Sequence, residues 1–431
     1  MPFESRPPAP KRVAVIGAGI SGLGAAHALA DAHHVTLIEA EPRLGGHART
    51  KMGGKRGDQP VDTGFIVFNY ANYPNLAQIF DRLDVPVVKS DMSFGASLSG
   101  GQLEYGLASL GAMFAQRRNI ANPRFLRMVR DIFRFNARAL SSAQDRTQSL
   151  GDFLDDMGTG PWFRDYYLLP LSGAIWSTPT DKILDFPAHA LVQFFENHAL
   201  LNAYGQHQWY TVDGGSIEYV RRFEAALRAQ GVEMRLGAPV DAVRRNDLGA
   251  QVKLNGAEWE QFDEVVFATH SDDTLRLLAD PTPSEQSALG AIGYQPNTVV
   301  LHGDTAIMPK SRKVWSSWNY IEDAPRALNT IDLTYWMNSL QPIAMDDLCF
   351  VTLNSTRPIR EELIWDETTL RHPVYDLAAL EAQGQVAAMN GDNNTWFCGA
   401  WMKNGFHEDG LSSGLDVAEG ILGKSTVPSA A

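Results

Sequence analysis

Three glycines and one carboxylate near the start of the chain have the spacing of a dinucleotide site. Gly17, Gly19 and Gly22 form the pattern G-x-G-x-x-G directly after an apolar segment, and Glu39 ends a second apolar segment. Glycine permits a tight turn and lets the backbone approach a pyrophosphate, while a carboxylate at this distance can hydrogen-bond a ribose hydroxyl. The pattern therefore predicts a nucleotide cofactor, although it does not by itself separate NAD from FAD.

Three consecutive titratable residues lie in a glycine-rich segment near the other end of the chain: His407, Glu408 and Asp409. A positioned histidine or carboxylate can remove a proton from a reacting carbon. His407 or Glu408 is the predicted base, and the alternative is that these residues brace the loop or contact the cofactor. The eleven histidines show no H-x-x-x-H spacing and the two cysteines no C-x-x-C spacing, so no metal site is predicted.

The elements around the first glycines form a strand, a turn, a helix and a second strand. The apolar segment 13–16 predicts the first strand, residues 25–30 the helix and 35–39 the second strand. A helix that begins at the glycines offers free N–H groups and partial positive charge to phosphates. A later buried strand, 262–270, ends in small residues, so the sheet collects separated parts of the chain. We predict an α/β fold with a discontinuous Rossmann-type domain and an α+β substrate domain.

The residues after Glu39 resemble a known superfamily. Segment 41–50, E-P-R-L-G-G-H-A-R-T, resembles the R-x-G-G-R-x-x-S/T signature of the flavin amine oxidase and phytoene desaturase superfamily. In that signature glycines press a second backbone segment onto FAD, and arginines meet the pyrophosphate charge. His47 stands where the superfamily usually has arginine. The resemblance implies FAD held non-covalently, because neither cysteine lies in a recognised flavin-linking motif.

Two more segments extend this resemblance. Residues 61–68 resemble a D-x-G segment that passes beside the flavin ring, the alternative being a strand with a bulge glycine. Residues 395–421 resemble the final strand, glycine loop and helix of the superfamily. The resemblance implies that the N-terminus of this helix faces the flavin and stabilises negative charge on the reduced ring. Ala400 stands after Gly399 where the superfamily often has an acid. The implied cofactor-binding residues are Gly17, Gly19, Ile20, Ser21, Gly22, Glu39, Ala40, Arg43, Gly45, Gly46, His47, Gly64, Phe65, Val240, Ala268, Gly399, Leu411 and Ser412.

Composition narrows the class of protein. The 431 residues carry a net charge of −13, which argues against nucleic acid as a partner. Cys349 and Cys398 are too few for a disulfide framework and are typical of a reducing compartment. Residues 1–10 lack the apolar core of a signal peptide, and the sequence has no apolar run long enough to span a bilayer. We expect a cytoplasmic protein that is soluble or lies on a membrane without crossing it.

From about residue 90 the sequence predicts mainly helices, one of them strongly basic. Seven arginines and one acid, Asp131, lie between residues 117 and 138. The predicted helix has an arginine flank of Arg127, Arg130, Arg134 and Arg138 and an apolar flank of Phe125, Leu126, Val129, Ile132, Phe133 and Leu140. Such a helix suits the headgroup boundary of an anionic membrane, and the alternative is a surface helix with its arginines in water.

The aromatic segment 162–176 predicts either the lining of a long apolar tunnel or plain core.

The predicted organisation has a disordered tail (1–10), an FAD-binding domain (11–90, 208–272 and 395–424), a substrate and membrane-facing domain (91–207 and 273–394) and a second tail (425–431).

The whole chain is similar to bacterial flavoproteins found with cyclopropane-fatty-acid-synthase-like methyltransferases. The similarity is carried by R-L-G-G-H-A-R-T, by D-T-G-F-I-V-F-N with Y-P-N-L after it, and by G-F-H-E-D-G-L-S-S-G. Members act as methyl fatty-acyl desaturases in furan fatty acid formation. The resemblance implies desaturation of a methyl-branched acyl chain of a phospholipid by hydride transfer to flavin N5, on the inner face of the cytoplasmic membrane. Whether the protein is a homodimer is left open.

Three other functions stay open at this point. A flavin amine oxidase would need a lysine and two parallel aromatic rings before the flavin, for which Lys313 with Trp315 and Trp318, or Trp401, are the candidates. A carotenoid- or sterol-type desaturase or isomerase would also use FAD and a long apolar pocket. A non-enzymatic, flavin-stabilised membrane scaffold is the remaining alternative.

Overall fold

The computed structural model describes residues 9–176, 183–201, 207–323 and 331–423. The predicted tails therefore lie outside the described residues, apart from residues 9 and 10. The strands are β1 (Arg12–Ile16), β2 (His34–Ile38), β3 (Thr50–Gly53), β4 (Gln59–Asp62), β5 (Val67–Phe68), β6 (Val87–Ser90), β7 (Phe94–Leu98), β8 (Leu103–Gly106), β9 (Trp209–Val212), β10 (Glu233–Arg235), β11 (Val240–Asn246), β12 (Gly249–Leu254), β13 (Trp259–Phe262), β14 (Glu264–Phe267), β15 (Gly293–His302), β16 (Trp318–Ile321), β17 (Asp332–Trp336), β18 (Phe350–Leu353), β19 (Ile364–Val374) and β20 (Thr395–Phe397).

The helices are α1 (Ile20–Leu29), α2 (Pro74–Arg82), α3 (Leu110–Met113), α4 (Pro123–Ser142), α5 (Leu150–Asp156), α6 (Pro161–Phe163), α7 (Leu169–Trp176), α8 (Ala188–Asn197), α9 (Ile217–Ala229), α10 (Ser271–Leu277), α11 (Pro283–Gly290), α12 (Met337–Leu340), α13 (Leu377–Met389) and α14 (His407–Ile421).

A five-stranded parallel sheet lies at the centre of the first layer, in the order β10–β2–β1–β14–β20. Its inner strands are apolar along most of their length because both faces are covered. Helices α1 and α14 pack on one face, and the three-stranded antiparallel sheet β11–β12–β13 packs on the other together with α11 and α13. The strands come from three separate parts of the chain. The predicted fold class, a discontinuous Rossmann-type sheet combined with a second α+β part, is confirmed.

A mixed seven-stranded sheet forms the second part, in the order β19–β15–β18–β17–β16–β7–β8. Only β7 and β16 run parallel; the other neighbours are antiparallel. The described residues from about 107 to 201 are mainly helical, as predicted, but the two strands β7 and β8 come first and join this sheet, which the sequence did not predict. Gly95 shows why: a Cβ there would lie 2.4 Å from the Val314 carbonyl oxygen, so β7 is specified by a distant segment.

Helix α4 has two apolar faces instead of the single predicted flank. Phe125 and Ile132 are buried in the largest apolar cluster of the described residues, whereas Leu126, Phe133 and Leu140 are exposed. The prediction of one apolar flank is wrong because it joined residues that point into the core with residues that point into solvent. Within the described residues, no helix is both long and apolar enough to cross a membrane.

The aromatic segment contains one turn of π-helix, Arg164–Leu168, directly before α7. Pro170 lacks an N–H group, so the Tyr166 carbonyl four residues earlier loses its usual helical donor. The Tyr105 hydroxyl donates to that carbonyl instead, at 2.5 Å. Phe163 and Tyr167 are buried in the core, while Trp162, Tyr166 and Trp176 are only partly buried beside it, so the segment contributes to both core and an accessible apolar surface.

Candidate functional site

The nucleotide turn between β1 and α1 requires two of its glycines for the fold itself. Gly17 has a φ of +101°, and a Cβ there would lie 2.7 Å from the Ala268 carbonyl oxygen. A Cβ on Gly22 would lie 1.9 Å from the carbonyl oxygen of Gly17. Gly19 differs, because a Cβ there would meet no atom of the described residues within 4 Å. The backbone at Gly19, with Ile20 and Ser21 after it, thus faces open space at a helix N-terminus, which is the cradle a pyrophosphate needs.

Glu39 is held at the end of β2 by the turn that it faces. Its carboxylate accepts hydrogen bonds from the Ala18 N–H at 2.7 Å and from the Glu41 N–H at 2.9 Å. The segment before β11 runs alongside, since the Ala238 N–H donates to the Glu39 carbonyl at 2.9 Å. Glu39, exposed Ala40 and the nearby Val240 therefore lie at one side of the turn, as the predicted ribose and adenine contacts require.

The second glycine loop lies directly on the nucleotide turn. The Gly45 N–H donates to the Ala18 carbonyl at 2.8 Å, and a Cβ on Gly46 would lie 3.0 Å from the Gly19 Cα. Arg43 donates to the carbonyls of Gly46 at 2.9 Å and of Ala48 at 3.1 Å, so its guanidinium braces the loop.

Arg49, the other arginine of this loop, forms a bidentate ion pair with Asp366 of β19, at 2.5 and 3.1 Å. Only 11% of its side chain is exposed. Asp366 therefore balances a charge that the sequence had assigned to the cofactor, and the backbone N–H groups of α1 are left as the main partners for phosphate.

Helix α14 crosses α1 at unusually short distance through glycines. A Cβ on Gly414 would lie 2.2 Å from the Ser21 carbonyl oxygen, and one on Gly410 would lie 2.9 Å from Ile20. Leu411 is buried against Gly24, so its side chain packs the two helices together. This crossing brings the N-termini of both helices to the same edge of the parallel sheet.

The loop before α14 is fixed by a residue that the sequence analysis did not single out. The Ser413 hydroxyl accepts from the Gly399 N–H at 2.9 Å and donates to the Gly399 carbonyl at 3.1 Å. Ser412, next to it, accepts from the Lys403 ammonium at 2.5 Å. A Cβ on Gly399 would lie 2.3 Å from the Trp401 indole nitrogen, so the loop can pass here only as glycine.

His407 is the first residue of α14 and is held on two sides. Its ring stacks on Phe65 with 3.9 Å between centroids and 12° between planes, and its Nε2 lies 2.6 Å from the Tyr219 hydroxyl. Phe65 in turn is placed by His47, whose carbonyl accepts the Phe65 N–H at 3.0 Å. A Cβ on Gly64 would lie 1.9 Å from that same carbonyl. The structure thus brings together Gly64, Phe65, His47 and His407, as the sequence predicted, and adds Tyr219, which it did not.

Four histidines surround this point. The His47 ring lies 5.7 Å from His270 and 5.8 Å from His372, and a proton on His47 would disfavour a second proton on His407. Burial lowers the pKa of His47, and it lowers the pKa of His270, His372 and His407 to about 3. The four rings are therefore neutral near pH 7. The sequence analysis missed His372 because no motif surrounds it in β19. His270 could have been found, because it ends the predicted buried strand 262–270 beside the small residues.

The chain was predicted to have no metal site, and the described residues contain one group that tests this. Ligand atoms of His270, Asp272 and Asp273 lie within 4.8 Å of one another. Arg371 donates to both carboxylates, at 2.5 Å to Asp272 and also to Asp273. The Arg371 guanidinium already balances the negative charge of these two carboxylates, which a metal cation would otherwise balance.

Glu408 points away from His407 and caps a different helix. One oxygen accepts from the backbone N–H and side-chain amide of Asn75, at 3.0 and 2.7 Å, and the other accepts from the Leu76 N–H at 2.9 Å. These N–H groups open α2 and have no partner within that helix. Asp409 likewise accepts from the N–H of Phe406 at 2.9 Å. Of the predicted acid–base cluster, only His407 is directed toward the flavin-facing segment.

The residues proposed for an amine oxidase arrangement do not assemble. Lys313 is exposed at the surface. Trp315 and Trp318 each form an edge-on pair, with Trp336 and Tyr335, at interplanar angles of 80° and 85°. Trp401 is buried and its indole N–H donates to the Thr269 carbonyl at 2.9 Å. Among these candidates the structure contains neither a lysine in the site nor two parallel rings.

Comparison with known proteins identifies the family. The family described as flavin containing amine oxidoreductase matches residues 20–339. Curated relatives match more locally: an L-amino-acid oxidase of Bothrops jararacussu is 53% identical over 49 residues, which is 11% of this chain. The match covers 10% of the length of that relative.

Solved structures match over nearly the whole chain at low identity. The CLA-producing fatty acid isomerase from P. acnes has a TM-score of 0.66 at 16% identity, covering 94% of this chain and 97% of its own. A putrescine oxidase has a TM-score of 0.68 at 17% identity, covering 97% and 100%. At this identity the likeness shows the fold alone, and the family assignment rests on the match over residues 20–339.

The nucleotide turn allows a sharp test of FAD binding. Gly19→Ala should leave the apoprotein as stable as wild type, because the new methyl group faces open space, but should weaken FAD binding by at least about tenfold by blocking the pyrophosphate. Gly22→Ala is the matched control and should unfold the protein, since its methyl group meets the Gly17 carbonyl. Urea denaturation and FAD titration measure the two effects. If Gly19→Ala binds FAD with full affinity, the pyrophosphate does not bind at this turn.

A second pair of substitutions separates capping from catalysis at Glu408. Glu408→Gln should lower the free energy of unfolding by about 1–3 kcal/mol, because a buried charged acceptor of three N–H groups is lost. Asp416→Asn, on the exposed side of the same helix, should change it by less than about 0.5 kcal/mol. A Glu408→Gln variant of normal stability that had lost turnover would instead make Glu408 the base.

Proposed function

Since the chain belongs to the family of flavin containing amine oxidoreductases, we propose that it is an FAD-dependent desaturase of a methyl-branched fatty acyl chain in a membrane phospholipid. FAD is held non-covalently by the two glycine loops and the ends of α1 and α14. The observation that carries this proposal is a row of packed aromatic side chains, here called the aromatic path, that begins one residue from His407.

The path starts at Phe406, directly before α14. Its ring stacks on Phe194 of α8, with 5.1 Å between centroids and 17° between planes. His198 stacks on Phe194 at 4.0 Å, and Trp176 packs against it at 4.8 Å. Phe194 belongs to the largest apolar cluster of the described residues, and Phe406 and Trp176 lie partly buried against that cluster. Such a surface suits a long hydrocarbon chain, because burial stabilises the chain and the chain needs no hydrogen-bond partner.

The reaction removes two hydrogens from adjacent carbons and forms a C=C bond. FAD supplies the acceptor for one hydrogen, which leaves as hydride with both bonding electrons. The carbon that carries the methyl branch is the favoured hydride donor, because it is the most substituted. Where a neighbouring double bond is already present, that carbon is also allylic and the product is a diene. The adjacent carbon then loses a proton to water, so no strong base is needed.

Residues of the chain would assist in two ways. Aromatic faces such as Phe406 and Phe194 pack against the acyl chain and stabilise positive charge that develops on carbon. Tyr219 fixes the protonation of His407. Burial raises the pKa of Tyr219 well above its ordinary value, and within the described residues its hydroxyl has one hydrogen-bond partner, His407 Nε2. Nε2 therefore accepts from Tyr219, and His407 keeps its proton on Nδ1, where it acts as a donor to negative charge and not as a base.

The comparisons support an acyl substrate without establishing it. One structural neighbour is a fatty acid isomerase, so this fold accommodates a fatty acyl substrate in at least one protein. The family description and the putrescine oxidase favour the second candidate, an amine oxidase. The surface position of Lys313 and the edge-on pairs of Trp315 and Trp318 argue against it.

The substrate class is tested by lipid analysis. Purified holoenzyme given phospholipid with a methyl-branched, monounsaturated acyl chain should yield the diene and reduced flavin, because hydride leaves the branched carbon. The same phospholipid without the branch is the control and should react at least about tenfold more slowly. The measurement is mass spectrometry of the released acyl chains. Hydrogen peroxide formed with primary amines, and no diene, would establish the amine oxidase instead.

The role of His407 is tested by two substitutions of that residue. His407→Ala should lower kcat by about 100-fold, the usual effect of removing one preorganised donor. His407→Asn keeps an N–H near the Nδ1 position and should retain at least about tenfold more activity than Ala. Tyr219→Phe should lower kcat while leaving KM and FAD content unchanged. Equal loss in the Asn and Ala variants would make His407 the proton acceptor.

A further inference from the structure

Helix α4 and the segment before it expose an unusual amount of apolar surface. Of the ten large hydrophobic side chains that are exposed in the described ranges, five lie between residues 110 and 140: Leu110, Ile120, Leu126, Phe133 and Leu140. Phe133 is 59% exposed, although α4 buries a full apolar face of its own against the core. A contiguous group of this kind on a folded protein marks an interaction surface.

The three exposed residues of α4 form a straight stripe. Leu126, Phe133 and Leu140 recur every seven residues, close to two helical turns, so they lie above one another on one side. Arg130 follows Leu126 by four residues and Arg134 follows Phe133 by one, so both arginines lie along one edge of the stripe. An apolar stripe with a basic edge is the arrangement of a helix that lies in a membrane interface.

The positive charge beside the stripe is not cancelled at the surface. The one acid of the segment, Asp131, is fully buried; it accepts from the Gly160 N–H at 2.9 Å and from Arg130 at 2.9 Å. Arg127 lies 3.7 Å from the same carboxylate. Arg124 and Arg138 are exposed, and their side chains form no ion pair with the described residues.

A groove continues the basic edge. Arg134 and Arg138 line it with Ser142, Gln148 and Asp156, and its volume is about 300 Å³. The Asp156 carboxylate is engaged by the Gln148 side-chain amide at 2.7 Å. Two arginines and one acid line the groove, so its net charge is positive, which favours a phosphate group.

We infer that this α4 surface docks the protein on an anionic phospholipid bilayer, with the stripe among the acyl chains and the arginines at the phosphates. Charge complementarity selects this partner: the arginines are concentrated here in a chain of net charge −13, and anionic lipid attracts such a cluster. The proposed reaction on a phospholipid would use this surface, but the inference stands on the surface itself and is tested without turnover.

The test is co-sedimentation of the holoenzyme with vesicles of phosphatidylcholine alone or with about 30% phosphatidylglycerol, in about 0.1 M salt. The wild type should bind the anionic vesicles. The triple substitution Leu126→Ser, Phe133→Ser, Leu140→Ser should weaken binding at least about tenfold, because the stripe loses its apolar contact with the acyl chains. The substitutions Arg117→Glu, Arg124→Glu, Arg138→Glu should abolish the preference for anionic lipid. Arg127 and Arg130 are left intact because they neighbour buried Asp131, and their reversal would disturb the fold.

Matched controls carry the same changes elsewhere on exposed surface: Leu248→Ser, Met345→Ser, Leu377→Ser, and Arg56→Glu, Arg221→Glu, Arg228→Glu. Both controls should bind vesicles as the wild type does, and all variants should keep their FAD. Vesicle binding that the stripe substitutions leave unchanged would overturn the inference. A wild-type dimer that the stripe substitutions convert to monomer, with no vesicle binding in any form, would assign the surface to a second copy of the chain. Diene formation is measured separately, so a failed reaction and a failed docking surface are distinguishable.

Discussion

The close crossing of α1 and α14 is the contact on which the site depends. Gly410 and Gly414 of α14 and Gly24 of α1 let the two backbones approach to a distance that any side chain would prevent. Because β1 and β20 run parallel in one sheet, this crossing places both helix N-termini at the same edge. Two partial positive charges then face the space where a dinucleotide lies. The cradle is therefore built from backbone, and its specificity comes from geometry more than from side chains.

The charge balance of the site follows from this backbone origin. Arg43 braces its own loop and Arg49 is paired with Asp366. His47 and the three histidines around it are held neutral by burial. A histidine at position 47 is tolerated because the helix ends supply the positive potential that an arginine would otherwise add. Neutral imidazoles also suit a hydride donor, since a carbon that loses hydride becomes electron-poor and a nearby positive charge would oppose it.

The glycine motifs were readable from sequence because their residues lie close together in the chain and the spacing is itself the signal. The structure shows that Gly17, Gly22 and Gly64 have no room for a Cβ. Strand β7 was not readable, since its parallel partner β16 lies in a distant part of the chain. The function of Glu408 was misjudged for a similar reason. Its position beside His407 in the chain suggested shared chemistry, yet on a helix adjacent residues point in different directions, and Glu408 faces α2. The two apolar faces of α4 could not be separated from sequence either, because only the fold shows which of its apolar residues the core covers.

The order of the elements along the chain has a consequence for how the protein matures. The nucleotide turn is made early, but β20 and α14, which complete its sheet edge and cover α1, are made last among the described elements. During synthesis at the ribosome the glycine face of α1 has no partner for most of the time that translation takes. The part of the cradle that α14 supplies is therefore completed only when the last described elements have been made.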